Sequence, residues 1–194
     1  MEGAKKEMLK GENKTTESLY KRFFRGEKEA VAELAAEHRN GLILFINGYV
    51  RDMGTAEDLA SDTFASLLVK RPKIKDASRF KTYLFSMAKN AALSWLRKNK
   101  SAKTGEKEQA KPFLDDPEHI LIREEKRRTI FRSIGQLAED YRNVLYLRFY
   151  EELSVDAIAT VMKKSKKQVY NLLQRAKTTL KNILTEEGIV YETD

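Results

Sequence analysis

Apolar positions recur along most of this chain at the i, i+3, i+4, i+7 spacing of amphipathic helices. Ala56, Leu59, Ala60, Thr63, Phe64, Leu67 and Leu68 form one stripe, and Leu84, Met87, Ala88, Ala91 and Trp95 form another. Between them "KRPKIKDASRF" breaks the period and carries Pro72, which predicts a loop. The segment "LILFINGYV", Leu42 to Val50, supports two readings. Apolar residues around Asn47-Gly48 fit a β-hairpin. A helix there must tolerate Gly41 and Gly48, each costing about 1 kcal/mol relative to Ala. Helical periodicity on both sides favours the helix.

Further along, Ser154 can cap a helix whose buried side is Val155, Ile158, Ala159 and Met162. After the short turn Lys163-Lys164, Ser165 can cap a second helix with Val169, Leu172, Leu173, Ala176, Leu180, Ile183 and Leu184 on one face. Two capped helices so closely joined, the second longer and polar-faced, predict a helix-turn-helix. Between the two helical halves, "KNKSAKTGEKEQAKPFLDDP" is charged and aperiodic, the composition of a flexible linker. The expected fold is therefore all-α: two small helical domains, residues 17–99 and 118–186, joined by a linker over 100–117, with loose tails at both ends.

Charge narrows the function. The formal net charge of the 194 residues is +8, which points to a polyanionic partner, nucleic acid before membrane surface. The longest apolar run, Leu42 to Ile46, is too short to cross a bilayer, and no apolar stretch follows the N-terminal lysines. Neither membrane insertion nor secretion is expected, and the cytoplasm is the default location. The absence of cysteine excludes disulfides and thiolate metal sites.

The polar face of the last helix sharpens the picture. Lys167, Tyr170, Asn171, Gln174, Thr178 and Lys181 share a stripe, with Lys166, Gln168, Arg175 and Lys177 beside it. From Ala157 to Thr185 there is no Asp or Glu, whereas an ordinary solvated helix mixes signs. Cations neutralise phosphates, while Asn, Gln and Arg read base edges in the major groove. Against this basic background, "AEDLASDTF" gathers Glu57, Asp58 and Asp62 on a face of no use to DNA. That face calls for a second, protein partner.

These segments resemble one family. "LSVDAIATVMKKSKKQVYNLLQRAKTTL" is similar to the DNA-binding region 4 of bacterial sigma factors, especially the small extracytoplasmic-function class. "LAEDYRNVLYLRFYEELS" resembles the opening helices of that region, with Arg142 and Arg148 in place. "AEDLASDTFASLL" and "FKTYLFSMAKNAALSWLRKNK" resemble two motifs of region 2, the second with Leu84, Ala88, Asn90 and Arg97 matching. Some positions depart from the pattern. Ser61 and Asp62 stand where Gln and Glu are usual, Glu152 where Gly is usual, and Lys163-Lys164 replaces a Gly-containing turn. A non-glycine at such a turn adopts its conformation at some cost.

The resemblance implies a transcription initiation factor that binds core RNA polymerase and directs it to promoters. Region 2 would dock on polymerase through Asp58, Ser61 and Asp62, then recognise and open the minus-ten element. Arg71, Lys73, Ile74, Lys75, Phe80, Tyr83, Asn90 and Arg97 would hold the single non-template strand, Asn90 and the preceding loop forming a pocket for a flipped base. Cations and aromatic or amide groups suit that task physically, although Phe80 and Tyr83 fit a core role equally well, and Trp95 fits one better. Region 4 would read the minus-thirty-five duplex through Arg148, Lys166, Lys167, Gln168, Tyr170, Asn171, Gln174, Arg175 and Lys181. An anti-sigma factor is a further implied partner.

Two other readings use the same residues. A helix-turn-helix regulator would bind DNA without polymerase, but it does not account for the region 2 motifs. A metal enzyme could use Glu57, Asp58 and Asp62. However, His38 and His119 are isolated, and neither a phosphate loop nor a nucleophile elbow occurs. No catalytic residue, metal, cofactor or small-molecule substrate is expected.

Overall fold

The computed structural model describes residues 19–70, 72, 74, 79–99 and 132–188. Most of these are helical, with short turns between the helices and no strand among the described residues. The expected linker and both tails lie outside them. Three long helices build the first half: α1 (Lys28–Val50), α2 (Met53–Lys70) and α3 (Phe80–Asn99). The second half holds α4 (Glu139–Leu145), which runs directly into a π-helical turn over Tyr146–Tyr150, then α5 (Val155–Met162) and α6 (Lys166–Glu186).

"LILFINGYV" is helical, and the packing explains its pattern. The helix packs on α2 and α3 on one side and on α4 on the other. Over its last three turns the helix is covered on two sides and keeps no polar face, so Leu42, Phe45, Ile46, Tyr49 and Val50 are all buried. Arg51 ends α1 in the left-handed conformation (φ 60°), its backbone N–H donating to Asn47 O at 3.0 Å. Of the α2 stripe, Ala56, Ala60, Thr63 and Leu67 are buried; of the α3 stripe, Leu84 and Ala88 are buried while Met87, Ala91 and Trp95 are half-buried, and Phe80, Phe85, Lys89 and Ala92 complete the buried face.

In the second half both expected caps are present. Ser154 Oγ accepts from Ala157 N at 3.2 Å, and Ser165 forms a reciprocal capping box with Gln168. Lys163 closes α5 at φ 55° and Glu152 sits at φ 54°, so both positions where the family pattern carries Gly keep a left-handed backbone. Each non-glycine there costs conformational energy on the order of 1 kcal/mol.

The two halves pack on one another. A continuous apolar core runs from Leu19 through Leu84 and Val144 to Ala176. Helix α3 packs on α5 and α1 on α4. Polar contacts pin the seam: Arg142 donates to Gly48 O, Lys89 Nζ to Met162 O at 2.6 Å, and Lys81 Nζ meets Glu151 Oε2 at 2.6 Å.

His38 is buried against Phe80, their ring centroids 5.7 Å apart, with Glu37, Lys81 and Glu151 as its charged neighbours. Burial, the largest influence, holds its imidazole below the usual 6.5, and nearby Glu37 opposes the shift. The folded state thus keeps His38 neutral while the unfolded chain binds a proton. Stability is full above pH 6.5 and is lost as pH falls below it, toward the lower folded value. Wild type should lose roughly 3 °C of Tm per pH unit below that point, and His38→Leu should not. Parallel pH profiles in thermal melts would contradict this.

Candidate nucleic-acid interface

Two chemically opposite surfaces emerge from this scaffold. Along α2, Ala56 and Ala60 turn into the core and leave Glu57, Asp58, Ser61 and Asp62 exposed. Ser61 Oγ donates back to Glu57 O at 3.0 Å, so its hydroxyl is engaged along the helix while both Asp side chains project outward.

Asp62 also edges a cleft of about 480 Å³ between α2 and α3, together with Lys70, Asn90, Trp95 and Lys98. A larger cleft of about 890 Å³ lies against the last three turns of α3, where Asn90, Trp95, Arg97 and Asn99 face Lys163 of the second half. Asn90 and Arg97 are exposed, and Arg97 Nη2 approaches Ser94 Oγ at 3.5 Å.

The residues expected to hold a single strand divide. Phe80 is 1% exposed, in an aromatic cluster with Tyr20, Phe23 and His38. Its ring has no face to offer a base, so that expectation is corrected: Phe80 is core, because the first turn of α3 is roofed by residues 19–24. Tyr83 and Ile74 are half-buried. Arg71, Lys73 and Lys75 lie outside the described residues. Trp95, expected in the core, is only half-buried and walls both clefts. It continues the apolar stripe and packs one side against the core.

On α6, Lys167, Tyr170, Asn171, Gln174, Arg175 and Lys181 are all exposed, opposite the buried Val169, Leu173, Ala176 and Leu184. Gln168 is partly committed, its Oε1 accepting from Ser165 N at 2.7 Å. Lys166 pairs with Asp156 at 2.8 Å, but both side chains are 65% exposed and such a pair is worth little. Arg148 is exposed, with Nη1 donating to Leu153 O at 3.0 Å.

Sequence reading missed Phe149, which is 58% exposed beside α6 with Lys177 Nζ 5.2 Å from its ring centroid. The π-turn causes this. Its extra residue per turn rotates Phe149 and Tyr150 out of the period that would have buried them. No group of three or more potential metal-ligating side chains clusters among the described residues. No helix among them is long and apolar enough to cross a membrane.

Residues 34–102 match sigma-70 region 2, and residues 127–180 match sigma-70 region 4. The RNA polymerase sigma-H factor of Pseudomonas aeruginosa is 30% identical over 157 residues, covering 75% of this chain and 81% of that protein. The chain belongs to the sigma-70 family of RNA polymerase sigma factors. Within it, this is a member of the extracytoplasmic-function class: the ECF RNA polymerase sigma-E factor of Escherichia coli is 26% identical over 182 residues, spanning 88% of this chain and 95% of its own.

Among solved structures, the sigma factor RpoE of Bartonella quintana, in complex with the anti-sigma factor NepR, superposes with a TM-score of 0.64. It is 18% identical and covers 84% of this chain and 98% of that one. CnrH, in complex with the cytosolic domain of CnrY, gives 0.61 at 20% identity over 88% and 97%. At these identities the likeness is one of fold. The family is not a class of enzymes.

Proposed function

We propose that this protein binds core RNA polymerase in the cytoplasm and directs it to specific promoters. The observation that carries this reading is the pairing of an outward acidic face on α2 with an acid-free basic face on α6. One suits a protein partner and the other a polyanion, and a regulator acting on DNA alone has no use for the first.

Asp58 and Asp62 dock on polymerase. Asn90, Arg97 and the loop before α3 hold the opened minus-ten strand, with Trp95 added as a stacking surface. Helix α6 lies in the major groove of the minus-thirty-five element, its Asn171 and Gln174 at base edges and Lys167, Arg175 and Lys181 at phosphates. An anti-sigma protein is the expected antagonist, since both structural neighbours described above were captured with a bound protein and one of those is itself an anti-sigma factor.

The test is transcription from a promoter library by purified core polymerase with and without the protein. Specific transcripts only in its presence support the reading; DNA binding without any association with core defeats it. On the duplex, Asn171→Ala should lower discrimination at one base pair by about 1–3 kcal/mol. Lys181→Ala should instead weaken all sequences alike and reduce the salt dependence by about one counterion. Binding isotherms at several salt concentrations separate the two, and a changed base preference in Lys181→Ala would contradict its assignment.

A further inference from the structure

Three aromatic rings stand exposed among the described residues: Phe149, Tyr150 and Tyr170. Two of them are engaged. Lys177 Nζ lies over the Phe149 ring, and Tyr150 stacks on Tyr146 with centroids 4.9 Å apart. Tyr170 is 58% exposed and enters no ring contact or hydrogen bond among the described residues. Lys166, one turn back, directs its ammonium to Asp156 Oδ1 at 2.8 Å. Tyrosine is also a poorer helix former than the Lys, Gln and Arg around it. Neither packing nor helix propensity accounts for the ring. Its place on α6 is fixed, because the Ser165–Gln168 capping box sets the helix start and Tyr170 falls in the second turn. That is where a recognition helix presents residues to base edges. The exposed neighbours Lys167, Asn171 and Gln174 all end in hydrogen-bonding heads. One feature of the major groove answers to none of these. The 5-methyl of thymine has neither donor nor acceptor and is recognised by apolar contact.

We propose that Tyr170 is a specificity-determining residue of α6, its ring packing on the 5-methyl group of a thymine in the minus-thirty-five element. The inference rests on the reading of α6 as the duplex-binding helix given above. Within that reading the exposed face divides by chemistry. Asn171 and Gln174 each suit adenine, pairing in bidentate fashion with its N6 and N7. Tyr170 suits the methyl. Cytosine carries a hydrogen in its place and adenine an amino donor at the groove edge, so the ring rejects both by offering them nothing. It also tells T·A from A·T, because only one orientation of the pair brings the methyl to the ring. Thr178 offers a methyl too, its hydroxyl turned back to Gln174 O at 3.1 Å. It stands two turns nearer the C-terminus, roughly 12 Å along the axis from Tyr170, and so meets a different base pair.

The probe is the minus-thirty-five duplex of the strongest promoter from the library above, with each thymine replaced in turn by deoxyuridine. That change removes the methyl and leaves every hydrogen bond in place. If core yields no transcripts, a duplex selected by binding to the full chain serves instead. In anisotropy titrations with the full chain, one replacement should weaken wild-type binding roughly three- to fivefold, the worth of burying one methyl. Tyr170→Ala should bind the unmodified duplex at least threefold more weakly, on the order of the same contact, and should lose that one penalty. Tyr170→Phe should keep both affinity and penalty, because the ring and not the hydroxyl makes the contact. No deoxyuridine penalty in wild type would overturn the proposal. So would a penalty that persists in Tyr170→Ala, which passes the methyl to another side chain such as Thr178. Equal weakening of Tyr170→Phe on every duplex would overturn it as well, marking a hydroxyl bonded to phosphate. Duplex binding without core-dependent transcription would overturn the sigma reading alone, and the deoxyuridine series still decides the role of Tyr170. A wild type that binds no duplex overturns both.

Discussion

Arg142→Ala is expected to cost about 3–4 kcal/mol and to lower Tm by roughly 6–16 °C. The Arg142 side chain is 1% exposed and bridges two elements, donating to Leu137 O at 2.9 Å in its own half and to Gly48 O in the other. Truncation strips two buried carbonyls of a charged donor and leaves a void the size of a guanidinium. Burial, assisted by the neighbouring Arg51, lowers the Arg142 pKa to about 10, so the side chain remains a cation at neutral pH. Arg142→Lys should recover only part of the loss, because a single ammonium does not reproduce the planar fork. Thermal melts of the three proteins check this. A loss below about 1 kcal/mol in Arg142→Ala would contradict the bridging role.

The second large effect falls on assembly. Replacing Asp58 and Asp62 together by Lys should weaken core polymerase binding by roughly 100-fold or more, since a like-charge meeting costs several kcal/mol. Both side chains are exposed, so folding should be unaffected. Binding of the full chain to a minus-thirty-five duplex should not fall, because α6 is untouched. Ser61→Ala, whose hydroxyl already bonds to Glu57 O, should behave nearly as wild type. Titration of labelled protein with core measures all three, and unimpaired assembly of the double variant would remove these aspartates from the docking surface.

Much of the architecture was legible because periodicity and caps agree. Ser154 and Ser165 marked two helix starts to the residue, and the α6 stripe separated buried from exposed positions. Family motifs then supplied a meaning for the acidic face that spacing alone left open. Illegibility arose where tertiary contacts overrode local pattern. "LILFINGYV" looked ambiguous because two layers cover it, and Gly41 and Gly48 looked like defects because their partners, Glu151 and Arg142, lie in the other half of the sequence. Phe80 was misjudged for a related reason. An aromatic at the start of a polar helix resembles a stacking residue until Tyr20 and Phe23 close over it. The π-turn has no signature in hydrophobic period, so Phe149 went unnoticed.

The two-sided burial of α1 also bears on how the protein is made. Phe45 stacks on Tyr146 with centroids 6.2 Å apart, and Tyr49 is buried where it feels Glu139 and Arg142. A ribosome delivers Phe45 and Tyr49 about a hundred residues before it delivers their cover, a delay of roughly 5–20 s at ordinary elongation rates. Throughout that interval the first half carries a bare aromatic seam, open to chaperones and to neighbouring nascent chains. A fragment ending at residue 99 would carry that seam permanently, and its solubility would measure how much the second half shields.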